Sequence, residues 1–563
     1  MNEDTHGKFY WLFHNLISGP KSFAKKHWLL FPILMAGILL LLFMSRGYTY
    51  ELVITCRKYF GAVLIGIPTL ITSYKIFHKS HLRGKIIATI IFVLAGLFIL
   101  EFGQPIHDYF SLWWRYTTLN ISKIDRAPDT AYERIHPLKS LFTMAGKQIA
   151  SNNSPTEAHF VRMSEDQYCF TIGAEPRAEW TYLSSRLFGG VTEVYVIPGT
   201  KPNVDLSSPG SKIKVSFECG ENLLFGHNAY TATCRAFGLW RYLNYEPDGL
   251  IYMNDDSGQL VQVVPLIRWR GILFPWPEFG GVQVIEQAPN TILNSCKRAL
   301  IGVGHYVSPE EIQANKYPFL KGQNICSYKV TRYMAESFKF RKGITAPLPM
   351  VHRGDTRIAD MEEDYNPLPF VIYNKMSTVV PGASDSLYQF YSLEPYNSNT
   401  QGTVAILYMP ADGTPIVYTV DAEENNLNLV GISSVPELAR NSHPNFDWTS
   451  HAAVEARPFT RSIDGKHYNF SILTVVTKNK NNDKTFIGGN NPNIALVNME
   501  TRRVLWMQPP ESSTWIGQLR NQMKLPVGDP RLPPLPGATD QPAPPPISVP
   551  SVASTPNLDI ATE

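Results

Sequence analysis

Three long apolar runs crowd the first hundred residues, and they constrain the fold more than anything else in the chain. Trp28 to Met44 reads WLLFPILMAGILLLLFM without a polar interruption. Tyr59 to Tyr74 is a second run, weakened by Pro68, Thr69, Thr72 and Ser73, and Ile86 to Leu100 is a third. A membrane-spanning helix needs about 20 residues, with a range of about 17 to 25. The first run meets that length. The other two reach it only with flanking residues such as Phe102, or with snorkelling by Lys75 and Lys85. A cleaved signal peptide fits poorly, because the first run starts late and Ser45, Arg46 and Gly47 lead into Tyr48 without a small-residue cleavage pattern. Three runs so close together predict three spans, at 28–44, 59–74 and 86–100. One anchor followed by buried helices is the rival arrangement.

Orientation follows from Lys and Arg in the short loops. The tail 1–27 carries Lys8, Lys21, Lys25 and Lys26. The loop between the second and third runs carries Lys75, Lys79, Arg83 and Lys85. Arg46, Arg57 and Lys58 lie in the first loop, and Arg115 alone lies in 101–120. Eight basic residues on one side against four on the other predict a cytosolic N-terminus and an extracytoplasmic region after Phe102, in a bacterial inner membrane or its equivalent. The prediction depends on parity. If the second run does not span, the large domain moves to the cytosol.

Composition narrows the rest. Charged residues make up 18 % of the 563 residues and hydrophobic residues 44 %, against roughly 25 % charge in soluble chains. A collagen, a wholly disordered chain and a small disulfide scaffold are excluded. The net charge of +3 gives no electrostatic case for nucleic-acid binding.

Beyond the spans, residues 103–157 read as a juxtamembrane connector. Tyr109, Phe110, Trp113, Trp114 and Tyr116 form an aromatic belt suited to a headgroup interface or to a plug beneath the domain. Leu138, Leu141, Phe142 and Ile149 predict a short amphipathic helix after Pro137. Residues 158–507 read as β-rich, in one or two subdomains. Hairpins are predicted at 250–264 around Asp255 to Gly258, at 403–420 around Asp412-Gly413, and at 494–507 around Met499 to Arg502. Ser308-Pro309-Glu310-Glu311 is a helix start signature, and Val435 to Arg440 suggests another short helix. The segment NIALVNMETRRVLW resembles one blade of a quinone-type β-propeller, with Arg502 where the blade turn carries Gly. No repeat of about 40 residues accompanies it, so a single hairpin is expected. Residues 508–563 hold proline throughout with few large apolar side chains, and predict a disordered, partly polyproline II tail. The predicted fold class is therefore a membrane-anchored chain: three α-helical spans, a mainly-β (β-rich α+β) globular region and a Pro-rich tail.

No motif fixes a reaction. P-loop, dinucleotide, nucleophile-elbow and zincin patterns are missing from the sequence, and Gly302-Val303-Gly304-His305 is too short to count as a phosphate loop. The six cysteines contain no C-x-x-C pair, which argues against structural zinc. Cys219 with Cys234, and Cys296 with Cys326, are disulfide candidates, with buried free thiols equally compatible. Asp355, Asp360, Glu362 and Asp364 form an acidic cluster of calcium-ligand chemistry, and Asp421, Glu423 and Glu424 form another, though neither has EF-hand spacing. Asn120, Asn152 and Asn469 stand in glycosylation sequons.

The most unusual local chemistry is Arg268-Trp269-Arg270 followed by Phe274-Pro275-Trp276-Pro277-Glu278-Phe279. Proline stiffens such a segment, and aromatics beside Arg are typical interface anchors. Trp269, Phe274, Trp276 and Phe279 are the predicted binding residues. Glu278, near Arg268 and Arg270, is the first acid/base suspect if an enzyme is present. These features predict a non-enzymatic component of an envelope assembly that meets the membrane and other envelope proteins through its β-rich domain and Pro-rich tail, with no cofactor. The alternatives are an extracytoplasmic enzyme acting on a glycan or lipid-linked substrate, and a membrane-bound sensor.

Overall fold

The computed structural model describes residues 30–59 and 104–507, apart from 202–205, 207–210, 289–290, 349–350, 352–353, 360–367, 397–401, 464, 480–481 and 488–492. The basic tail 1–27, most of the second apolar run, the whole third run and the Pro-rich tail lie outside these residues.

The first apolar run does not form the expected span. It forms a helix of 15 residues, Leu30–Met44. At 1.5 Å per residue that is roughly 22 Å, short of a hydrocarbon core of about 30 Å. Among the described residues, no helix is long and apolar enough to cross a membrane. The membrane-anchored fold class and the integral inner-membrane location are therefore not supported. The predicted outer loop is also corrected. Ser45 Oγ donates to the Leu41 carbonyl at 2.8 Å, and the chain turns at once into a second helix, Arg46–Lys58. That helix docks on the globular region. Gly47 and Ile54 are buried, Thr49 Oγ1 meets Tyr242 Oη at 2.7 Å, and Lys58 pairs with Glu246 at 3.1 Å. On the helix before it, Leu42 and Phe43 pack against the same core while Leu40, Leu41 and Met44 stay exposed.

The rest is built from four mostly antiparallel sheets. The first holds Asn153–Pro155, His159–Ser164, Gln167–Pro176, Val191–Pro198 and Lys212–Phe217. The second holds Tyr245–Pro247, Ile251–Asn254, Leu260–Arg270, Trp276–Ile285 and His305–Val307. A seven-stranded third sheet runs Ile121–Lys123, Val417–Asp421, Ala405–Pro410, Ser386–Pro395, Phe370–Lys375 and Asp129–Ala131, with Thr356–Ile358 on Ser386–Pro395. The fourth holds His451–Ile463, Lys466–Asn479, Asn482–Ile487, Asn493–Asn498 and Val504–Met507. The connector is thus part of the domain, since Ile121–Lys123 pairs in parallel with Val417–Asp421.

Local chemistry explains the hairpins. Asp255 Oδ1 accepts from the Ser257 and Gln259 amides at 2.9 and 2.8 Å, and Gly258 takes φ +80°. Asp412 Oδ1 accepts from the Thr414 amide at 3.0 Å, with Gly413 at φ +78°. Asn498 Oδ1 closes the last turn on the Glu500 and Thr501 amides, behind a hairpin of four residue pairs. The Ser308 capping box forms in full, and the amphipathic helix runs Leu138–Gln148 with Leu141 and Ala145 buried. The main core lies between the third and fourth sheets and the helices Tyr328–Ser337 and Val435–Ser442. Val330, Phe390, Tyr408, Leu473 and Trp506 are among its buried members.

Candidate interaction surface

The long hairpin of the second sheet positions the site. Leu260–Arg270 pairs with Trp276–Ile285, with Arg268 opposite Glu278 and Arg270 opposite Trp276. A register shift at Pro265/Ile267 bends the pair. The tip, 271–275, needs Gly271, which sits at φ +79° with the Phe274 carbonyl oxygen 2.5 Å from where a Cβ would lie. Hairpin turns are usually polar. This one exposes Ile272, Leu273 and Phe274.

A helix, Gln104–Thr117, lies beside the tip. Its buried side carries Ser111, Leu112 and Arg115, and its outer side carries Ile106, Phe110 and Trp114 at a spacing of four. Polar contacts fix the two elements together. Ser111 Oγ donates to the Pro275 carbonyl at 2.7 Å and receives the Tyr333 hydroxyl at 2.6 Å. His107 Nε2 meets the Leu273 carbonyl at 3.0 Å. Phe274 packs on Phe110 with ring centres 5.7 Å apart. Tyr109 packs edge-on against Phe340 at 4.8 Å and donates to the Ile344 carbonyl, which brings exposed Ile344 to the same border. Two aromatic clusters far apart in sequence thus form one apolar surface. The chain leaves the described region at Tyr59, one residue past Lys58, whose Nζ lies 4.4 Å from the centre of the Trp269 ring. It re-enters at Gln104, three residues before His107.

The predicted binding residues divide. Phe274 is at the exposed tip. Trp269 is half-buried, donates to Glu246 at 2.9 Å and braces Lys58. Trp276 donates to Glu278 at 3.2 Å. Phe279 packs over Gly413, where a Cβ would lie 2.1 Å from its ring. Trp269, Trp276 and Phe279 therefore brace the hairpin, and Ile272, Leu273 and Ile106 are exposed apolar residues beside Phe274 that no sequence motif singles out. The readable signal was an apolar triplet inside a glycine-bounded turn. Glu278 is fully engaged, taking Arg270 at 2.6 Å and Arg115 at 3.4 Å besides Trp276. Arg115 is buried, which lowers its pKa, and Glu278 partly offsets that. Arg268 makes no ion pair among the described residues.

Among the described residues, the other candidates do not assemble into sites. Asp360, Glu362 and Asp364 lie outside the described residues. Asp355 is buried and lines a cavity of about 340 Å³ with Arg341 and Glu423. There Arg341 holds Asp421 at 2.6 Å and Glu423 at 3.2 Å, and Lys342 holds Glu423 at 3.0 Å. Asp421 and Glu423 are matched by basic residues, and among the described residues no group of three or more His, Cys, Asp or Glu is arranged for a metal. Both candidate disulfides are corrected: Cys219, Cys234, Cys296 and Cys326 are all free thiols. Cys219, Cys234 and Cys326 are buried, and burial pushes the Cys219 thiol up to about 12, so it stays protonated.

Searches of family models, curated proteins and solved structures return no match to this chain.

Proposed function

We propose that this chain is a non-enzymatic interaction protein whose apolar end docks an apolar surface of a different protein. One observation carries the reading. The exposed apolar side chains at 106–114, at 272–274 and of Ile344 come from three separate segments, yet hydrogen bonds through Ser111, His107 and Tyr109 hold them in one surface. Apolar patches of this kind mark interaction sites. Preorganisation lowers the entropy cost of binding, and aromatic anchors such as Phe274, Phe110 and Trp114 supply most interface energy. Arg270 and Asp108, both about half exposed, furnish a polar rim.

The test is sedimentation of the full chain in extracts of its native cells. The wild type should run as an assembly larger than its 63.4 kDa, containing a second protein. A chain carrying Ile272→Asp and Phe274→Asp should run alone, with its melting temperature within about 2 °C of wild type because both sites are exposed. A wild type that runs alone, an assembly made of this chain only, or a variant that keeps the partner would overturn the reading.

A further inference from the structure

The hairpin tip and the helix Gln104–Thr117 are joined by two bonds of different character. Ser111 Oγ donates to the Pro275 carbonyl, and a serine hydroxyl keeps its proton at every physiological pH. The other bond runs through a group that does not. His107 Nε2 lies 3.0 Å from the Leu273 carbonyl oxygen, and His107 Nδ1 lies 3.3 Å from Asp108 Oδ1. The Phe274 ring packs beside the imidazole with ring centres 5.9 Å apart, and the His107 side chain is only 12 % exposed.

Both partners of this ring are acceptors. A backbone carbonyl has no proton to give, and neither has an ionised carboxylate. Only the imidazolium donates from both nitrogens, whereas a neutral ring carries a single N–H. If that proton sits on Nδ1 it serves Asp108, and a lone pair of Nε2 faces the Leu273 oxygen. If it sits on Nε2, the lone pair of Nδ1 faces the carboxylate. Either tautomer turns one attraction into a repulsion. The bond to the carboxylate is charge-assisted and the stronger of the two, so the neutral ring favours Asp108 and gives up Leu273. Imidazoles cross between these forms from about pH 5 to pH 8. Leu273 is the middle residue of the exposed triplet 272–274, so the bond at stake is the one that orients the apolar tip.

Other ionisable groups surround this junction. On the helix Tyr328–Ser337, Glu336 pairs with Arg332 at 3.1 Å, and Tyr333 donates to Ser111 while burial raises its pKa. On the hairpin, Arg270 is bound to Glu278 at 2.6 Å. On 338–340, burial lowers the Lys339 pKa, with Glu336, Asp355 and Asp108 opposing the shift. Lys339 is therefore the rival titrating group.

We propose that His107 is a pH-operated latch on the docking surface: its imidazolium fixes Leu273 and the apolar tip, and its neutral form releases them, so that the docked protein is held at mildly acidic pH and let go above neutrality. The inference rests on the docking reading, since it regulates the surface proposed to dock, but the latch itself is tested without a partner.

Spin labels at Ile272 and Thr117, both exposed, report the tip against the helix in the full chain, with exposed Cys56 and Cys296 replaced by serine. Inter-label distances are measured at pH 5.5 and pH 8. One narrow distance peak is expected at the lower pH. At the higher pH its population relative to other distances should fall about fivefold, the change that one lost hydrogen bond predicts. His107→Gln keeps an N–H for Leu273 and does not titrate, so the response should vanish. Asp108→Asn supplies a donor to Nδ1, which lets the neutral ring keep its proton on Leu273, so the tip should stay fixed at pH 8. Identical wild-type distances at both pH values, a response that persists in His107→Gln as Lys339 would produce, or wild-type release in Asp108→Asn would overturn the latch. Sedimentation in cell extract at the two pH values separates the two readings. A tip that moves while the assembly holds equally at both would overturn the regulation and leave the docking reading standing, whereas a chain that runs alone at both would overturn the docking reading and the regulation with it.

Discussion

Arg502 holds a left-handed backbone position, φ +60°, in the turn that joins the last two strands. Non-glycine residues pay about 1 kcal/mol or more there. Arg502→Gly should therefore stabilise the protein by about 0.5–1 kcal/mol, after the larger unfolded-state entropy of glycine is counted, and a shifted urea midpoint with unchanged slope would show it. The sequence carried this signal, because Arg502 stands where a blade-like turn carries glycine. Glu221 was not legible in the same way. Its carboxylate is desolvated between the first two sheets, with Tyr230 donating at 2.8 Å and Glu175 nearby. Burial first, then Glu175, raises its pKa from 4.5 to about 7. The folded state thus keeps a proton that the unfolded state releases above about pH 4.5. Stability from this group is full below 4.5 and falls as pH rises through about 7, by roughly 3 kcal/mol at most. Glu221→Gln should flatten that fall, read as urea midpoints at pH 5 and pH 8. His159 works in the opposite direction. Fully buried, with its pKa lowered by desolvation, it costs stability as pH falls below 6.5. No periodicity or motif announces a buried carboxylate whose partners lie some 9 and 46 positions away.

At the scale of elements, the docked helix Arg46–Lys58 depends on Gly47. A Cβ there would lie 2.8 Å from Thr231 Cγ2 and 2.9 Å from its carbonyl oxygen. Gly47→Val should push the helix off Ala229–Ala236 and cost about 1–3 kcal/mol. A lowered melting temperature together with faster tryptic cleavage after Arg57 and Lys58 would verify it. Sequence alone places Arg46, Arg57 and Lys58 as loop charges between spans, whereas in this helix Arg46 donates to the Arg235 carbonyl and Arg57 to Asn244 at 3.4 Å. Hydropathy reports transfer out of water, not which surface accepts the apolar residue, so a run that packs partly on protein looks like one made for lipid. Hairpins with their own turn chemistry at Asp255, Asp412 and Asn498 were legible because the signal is local. The three-residue strands Ile121–Lys123 and Asp129–Ala131 were not, since long-range partners alone make them strands.

For the whole molecule, the aromatic residues at 109–116 and 269–279 were each visible in the sequence as unusual. Only the fold joins them, by laying Gln104–Thr117 across the hairpin and locking it through Ser111 and His107. The joined surface is the one on which the proposed docking rests. A photo-cross-linking residue placed at Phe274 in the full chain, in its native cells, tests this most directly, with exposed Lys375 as the control position. The account predicts one dominant adduct with a second protein from position 274, none from 375, and its loss when Ile272→Asp is added. An adduct confined to this chain's own residues, equal adducts from both positions, or no adduct at position 274 would contradict it.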